Sequence, residues 1–338
     1  MWTMIGDLHL TDRAQDAHRF GIFDWIRRQQ EKHPVAATFL AGDITDQKDR
    51  HSATLVNKIV GGLLKLQPPV YIVMGNHDYR DPKNPFFKFL SHIEGIQFVV
   101  KPMMVDIPSM QRPIVLIPHY RTQDEFDAAI KLSAWAQPAA FLVHQTFDGA
   151  IAESGVRLSG LSASLVESFK PPLGVYAGDV HRPQTQGQVI YLGCPYHIRF
   201  GDDFTPRVLW IAKNGQRVNR CFSAPYKWSL TVRDADDVLN DNQLREGDQI
   251  KLTIQITREE ATEWKRIKQG VLDACKELKL EVFGAKVEVQ TIQSIRLHLN
   301  EKHMGHVQIL EQFCKVEKVS NTIKKVGMEI LDGNKSVL

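Results

Sequence analysis

Along the first two-thirds of the chain, short apolar runs alternate with longer stretches whose apolar residues recur at helical spacing. The runs occupy residues 2–5, 36–41, 70–74, 114–117, 139–143 and 175–177. Each has strand length, and several are followed by glycine or proline. Between them, residues 16–31 set Phe20, Phe23 and Ile26 on one side of a helix, and residues 52–66, 123–135 and 162–169 are further helix candidates. Such alternation predicts an α/β sandwich with a parallel or mixed sheet core flanked by helices. Hairpin-like strands at 188–192, 208–211 and 218–222, around a turn at 213–215, close this part of the chain.

After Pro225 the texture changes. Residues 228–232 and the alternating stretch 250–256 read as strands. Thr257-Arg-Glu-Glu260 has the capping-box form, in which side chains at a helix start satisfy exposed backbone amides. It is expected to open a helix whose apolar face holds Trp264, Ile267, Val271, Cys275 and Leu278, followed by a strand at 280–289. This predicts three parts: a domain over 1–224, a small α+β module over 225–295, and C-terminal helices over 296–338. In the last part Met304, Val307, Leu310, Phe313 and Val316 recur every third residue, and Ile323, Val326 and Ile330 follow the N-cap candidate Ser320. Two short amphipathic helices bury little alone, so they fold back or dock onto a partner.

Composition narrows the class. With 338 residues, 43% hydrophobic and 24% charged, the chain can bury a large core without staples, and it is neither disordered nor a coiled coil as a whole. Lys and Arg total 42 against 39 Asp and Glu, a net +3, so the protein is not a polycation. Any nucleic-acid binding then needs a local patch, bound metal or a partner. Cys194, Cys221, Cys275 and Cys314 form no C-x-x-C pair and are expected to be reduced thiols of a cytoplasmic protein. An acid and a histidine stand among the first ten residues, and no apolar run approaches membrane-spanning length, so no leader and no membrane span are expected.

The chemistry lies where the apolar runs end. They lead into Gly6-Asp7-Leu8-His9, Gly42-Asp43-Ile44-Thr45-Asp46, Gly75-Asn76-His77-Asp78, His144, and Gly178-Asp179-Val180-His181. Open α/β sheets gather their sites at the carboxyl ends of strands. Any one of these signals alone is ordinary, because a single Asp or Asn after a strand is usually a turn residue and a single His usually a satisfied buried one. Five in order along one chain are metal-type ligands converging on a centre.

These motifs together resemble the calcineurin-like metallophosphoesterase superfamily. More narrowly, Asp7-Leu-His9-Leu10, His181-Arg182-Pro183-Gln184 and Tyr191-Leu-Gly193-Cys-Pro195 resemble the SbcD-type nuclease subunits of DNA repair complexes, over about residues 5–200. The short chain and compact tail suggest a pared-down, phage-encoded version. The resemblance implies a sandwich of mixed sheets with a capping domain and two divalent ions, Mn²⁺ first and Mg²⁺ or Fe²⁺ as alternatives. One ion would take Asp7, His9, Asp43 and His181; the other would take Asp43, Asn76, His144 and Asp179. His77 is the implied non-ligand proton donor, while Asp46 and Asp78 would orient the machinery. The family usually carries histidine where this chain has Asp179. The extra carboxylate lowers the charge of the centre by one and makes the second position harder, unless Asp179 turns away and leaves the second ion weakly held.

Fainter candidates for substrate contact are Arg80 and Arg182, each beside a metal loop, and His119, His197 and Arg199 on the rim. Lys265, Arg266 and Lys268 read first as a solvated helix face and second as a DNA-facing patch. The function expected is a DNA nuclease, exonuclease and endonuclease, working with an SbcC-like ABC-type ATPase docked on the C-terminal helices; the family also implies a homodimer. A phosphatase or cyclic phosphodiesterase would share the chemistry but needs no C-terminal module. A non-catalytic DNA-tethering scaffold would have no use for His77.

Overall fold

The computed structural model describes residues 1–108 and 110–289. Two six-stranded mixed sheets form the body. The first runs in the order β12 (Arg217–Arg220), β11 (Val208–Ile211), β1 (Trp2–Ile5), β2 (Thr38–Leu40), β3 (Val70–Val73) and β4 (Ile96–Val99). The second runs β5 (Met103–Val105), β6 (Ile114–Ile117), β7 (Ala140–His144), β8 (Val175–Gly178), β10 (Val189–Tyr191) and β9 (Gln184–Gln186). The mixed α/β sandwich expected from the alternation is the observed fold.

The apolar runs are continuous rather than alternating because both faces of each sheet are covered. Ile114 and Leu116 of β6 and Ala140 and Leu142 of β7 enter the layer between the sheets, with Trp2, Met4, Phe39 and Tyr176. Their neighbours Val115, Ile117, Phe141 and Val143 face outward into a second layer with Phe126 and Ile130 of helix α3 (Gln123–Ala134). On the outer side of the first sheet, α1 (Gly21–Lys32) and α2 (Ala53–Leu63) contribute Phe23, Ile26, Leu55 and Ile59. Ser52 and Thr122 cap α2 and α3 by accepting from the amides of Leu55 and Glu125.

Some elements depart from expectation. The helix expected from residue 16 is a 3₁₀ segment, Ala14–Phe20, that passes into α1, because the Asp16 and Arg19 side chains are buried and shape the first turns. The strands β4, β5 and β9 carry no clear alternation and were not expected. The short helix α4 (Ser164–Ser168) is all that forms of the stretch 162–169.

Residues 1–254 and 265–286 form one unit, and 255–264 and 287–289 belong to another. In the first unit β13 (Lys227–Val232) runs parallel to β14 (Gln249–Ile256), pairing Trp228 with Ile250 and Val232 with Ile254. Helices α5 (Ala235–Leu239) and α6 (Trp264–Glu277) and strand β15 (Glu281–Val289) complete the elements after Pro225. In the second unit the capping box is formed: Thr257 N donates to Glu260 Oε2 at 2.8 Å and Glu260 N to Thr257 Oγ1 at 3.3 Å. It opens the 3₁₀ turn Glu259–Thr262 rather than a long helix. Val271 and Cys275 of α6 are buried as expected, whereas Trp264 is exposed. The expected helices from residue 300 onward lie outside the described residues.

Candidate metal centre

Parallel strands deliver the candidate residues to one place. β1, β2 and β3 are neighbours in the first sheet and run into the loops of Asp7, Asp43 and Asn76; β7 and β8 are neighbours in the second and lead to His144 and Asp179. Asp7, His9 and Asp43 each offer an atom within 4.8 Å of one another, as do Asp43, His144 and Asp179, so Asp43 is common to both groups. In the first group Asp43 Oδ2 lies 3.5 Å from His9 Nε2, which is 3.1 Å from His181 Nε2. In the second, His144 Nε2 lies 3.4 Å from Asp43 Oδ1 and 3.7 Å from Asp179 Oδ1. Asn76 donates Nδ2 to Asp179 Oδ1 at 2.8 Å.

The donor atoms fit divalent cations. Asp7 Oδ2, Asn76 Oδ1 and His144 Nε2 are buried with no hydrogen-bond partner among the described residues. Buried polar atoms are rarely left so. These are lone pairs of carboxylate, amide and imidazole, the mixture that suits Mn²⁺, Fe²⁺ and Mg²⁺. Burial raises the Asp7 and Asp43 carboxyls above the usual range, and neighbouring carboxylates push Asp43 further against the pull of His144. Burial lowers His9 well below its ordinary value, and His181 and His77 add to the effect. For His144 burial pulls down, but Asp43, Asp179 and Asp7 outweigh it and raise the imidazole. Cations answer this field. The cluster is a candidate two-metal site.

The backbone is strained at the same place. His9, Asp43 and Asp179 adopt φ of 41°, 49° and 77°, a left-handed conformation that costs a non-glycine residue of order 1–3 kcal/mol. Neighbouring bonds hold them there: His9 N to Asp43 O at 2.9 Å, Arg19 Nη1 to His9 O at 2.6 Å, and Asp179 N to Asp7 Oδ1 at 2.9 Å. Asp78 is wholly buried and accepts from the amides of Gly75, Asp43 and Ile44 at 2.7, 2.9 and 2.9 Å, lacing the loops after β2 and β3 together. Gly75 is needed because a Cβ there would meet Asp43 Oδ1 and come within 2.6 Å of Asp43 N.

Other expected residues fall around this cluster. His77 Nδ1 is 2.9 Å from the Asp46 carbonyl, and its ring meets His9 edge-on at 5.1 Å. Asp46 Oδ1 is 3.8 Å from His9 Nδ1, and Arg13 holds the other oxygen at 3.0 Å. His119 bonds the Tyr79 hydroxyl through Nδ1 at 2.8 Å and lies 6.1 Å from the His144 ring; burial, then His144, lowers it to about 4. Arg80 and Arg199 are exposed and face Asp49 and Glu153, each at 3.5 Å. Arg182 is half-buried directly after His181. His197 departs from the rim expectation. It is buried, with Nε2 on the Phe204 carbonyl, Nδ1 accepting from Lys227 N, and its ring stacked on Tyr226, so no ring atom is left for substrate.

Two residues were missed by sequence reasoning. Thr146 donates to Asp179 Oδ2 at 2.6 Å, and Glu153 Oε1 stands 4.0 Å from His181 Nδ1. Neither sits in a motif, so no local signal marks them. With Thr146 on one oxygen and Asn76 on the other, the Asp179 carboxylate faces into the cluster. Asp179→Ala is expected to raise the manganese needed for half-maximal hydrolysis by about 100-fold or more, whereas Asp179→His retains hydrolysis and changes metal preference. Full activity of the alanine variant at low manganese would exclude Asp179 as a ligand.

The chain is similar to several known proteins. The family model for the calcineurin-like phosphoesterases matches residues 3–128. The chain is 25% identical over 254 residues to exonuclease subunit 1 of enterobacteria phage T4, covering 68% of this chain and 72% of that protein. Among solved structures, a dimetal phosphatase from Danio rerio aligns at 13% identity with a TM-score of 0.39, over 62% of this chain and 91% of that one. No helix among the described residues is long and apolar enough to cross a membrane.

Proposed function

We propose that this chain, whose residues 3–128 match the calcineurin-like phosphoesterase model, is a metal-dependent hydrolase and, more narrowly, a DNA nuclease cutting phosphodiester bonds at this centre, exonucleolytically and endonucleolytically. The observation that carries the chemistry is the pair of three-residue groups sharing Asp43. The choice of DNA rests on the similarity to an exonuclease subunit and on the stretch after His181.

Asp7, His9, Asp43 and His181 would hold one ion, and Asp43, Asn76, His144 and Asp179 the other. Two divalent ions, when bound, supply Lewis-acid activation of water and of a phosphoryl oxygen. His77 supplies the proton. Nδ1–H donation to the Asp46 carbonyl fixes the ring, and Nε2 is the nitrogen left to serve the departing oxygen. Asp46 and Asp78 position, through the Arg13 ion pair and the three backbone amides respectively. In this reading Arg80, Arg182, Arg199 and His119 are the substrate contacts.

Residues 225–295 serve in this reading as the capping module that positions the duplex, and residues 296–338 as the docking element for an ABC-type ATPase. A partner fits the modest net charge of +3, since the chain carries little general attraction for DNA. Manganese is the expected metal, the protein acts inside the cell, and a homodimer is its expected state.

The test is degradation of an end-labelled duplex in manganese, magnesium or zinc, with and without the cognate ATPase. Manganese-dependent shortening is expected, and His77→Ala should slow it by about 10²–10⁴-fold while metal binding persists. Hydrolysis of a small aryl phosphodiester with the duplex left intact would instead indicate a small-molecule phosphodiesterase.

A further inference from the structure

Immediately past the metal loop, on the side of β11 and β12, the surface opens into a cleft of about 400 Å³. Its lining includes Arg182, Pro183, Phe204, Arg207, Asn219 and Cys221. The volume falls in the range of small-molecule sites and is far larger than a lone phosphate requires. Arg182 directly follows His181, and among the described residues its guanidinium makes no hydrogen bond or ion pair. Arg207 is anchored from behind: Nε donates to the Leu192 carbonyl at 3.0 Å and Nη2 to the Tyr191 carbonyl at 2.7 Å, which leaves Nη1 uncommitted. A fixed guanidinium and a free one lining the same cleft match a phosphodiester or phosphate monoester.

The remaining walls are not those of a simple anion site. The Pro183 and Phe204 rings give flat apolar surface, and Asn219 offers an amide able to meet a base edge. Asp203 also lines the cleft and opposes a bare anion more than a ligand whose charge lies at one end. The Pro183 wall is joined to the metal loops: a Cβ on Gly193 would strike Pro183, and one on Gly6, the residue before Asp7, would strike the Gly193 carbonyl.

We propose that this cleft seats one nucleotide of the strand being cut, with its phosphate between Arg182 and Arg207 and its base against Pro183 and Phe204. The assignment of the ligand class rests on the nuclease reading above. The cleft would grip the strand beside the scissile bond, a task that the metal centre alone does not perform.

Cys221 supplies the readout, since it is exposed in the cleft whereas Cys194 and Cys275 are buried. In a Cys314→Ser background with a chelator present, the alkylation rate of Cys221 is measured with a 5′-deoxymononucleotide, the matching nucleoside, or inorganic phosphate. At a mononucleotide concentration ten times its dissociation constant, labelling should slow by about tenfold. The nucleoside and phosphate should protect far less at the same concentration. Arg182→Ala should weaken mononucleotide binding by about tenfold, and Asn219→Leu should also weaken it; calorimetric titration checks both without using the thiol. An unchanged labelling rate together with no calorimetric binding overturns the proposal. Equal protection by phosphate reduces the cleft to an anion site and overturns it as well. Duplex degradation without mononucleotide protection removes the cleft and leaves the nuclease; protection without degradation does the reverse.

Discussion

Asp43→Asn should lower phosphoester hydrolysis by at least about 10³-fold without unfolding the protein. The Asp43 side chain is the member common to both three-residue groups, with Oδ2 3.5 Å from His9 Nε2 and Oδ1 3.4 Å from His144 Nε2. Transition-state stabilisation by bound metal is worth several kcal/mol, and each 1.36 kcal/mol is tenfold in rate, so a disabled pair costs about three decades. The fold should tolerate the change. Asparagine keeps an oxygen for the His77 amide, now 2.8 Å from Asp43 Oδ1, and is neutral at a position where burial and the carboxylates of Asp78, Asp7 and Asp179 already disfavour charge. Metal-free variant and parent should therefore melt at similar temperatures, while the rise in melting temperature that manganese confers on the parent shrinks in the variant. Activity within tenfold of the parent would remove Asp43 from the centre.

Asp16→Ala should cost about 3–5 kcal/mol of stability, the scale for stripping one partner from a buried ion cluster. Asp16 Oδ1 lies 2.5 Å from Lys227 Nζ and 2.9 Å from Arg19 Nη2, all three side chains are at most 2% exposed, and Thr11 donates to the other oxygen. Without the carboxylate two buried cations face each other. The loss should reach the metal centre too, because Arg19 Nη1 holds the carbonyl of the strained residue His9.

Burial favours the neutral Asp16 carboxyl, but Arg19, Lys227 and Thr11 outweigh it and bring the group below the usual range. A folded-state value below the unfolded one means that this stabilisation is present above the ordinary aspartate value, about 3.9, and fades as pH falls through the folded value. Denaturant titrations at neutral and acid pH test both parts: the gap between parent and variant should be widest near neutrality and narrow in acid. A neutral-pH difference under about 1 kcal/mol would show the cluster to be incidental.

The loops that form the centre could be read before folding because each is a local pattern, an apolar run followed within three residues by Gly, Asp, Asn or His. Strand identity was legible for the same reason: β1, β6 and β11 begin and end where their apolar runs do. Three-dimensional arrangement alone decided the rest. Asp16 and Lys227 are 211 positions apart, and neither carries any mark of the other. Thr146 and Glu153 lie in a stretch without periodicity, and they matter only because β7 and β8 lie side by side. His197 looked no different in sequence from His119. One became a buried brace between two backbone groups and the other a neighbour of His144, according to which chain segments packed around them. Periodicity and turn chemistry act over a few residues and are written in the chain. Burial, ion pairing and the direction of a side chain depend on segments hundreds of positions away, and they exist only once the sheets have closed on each other.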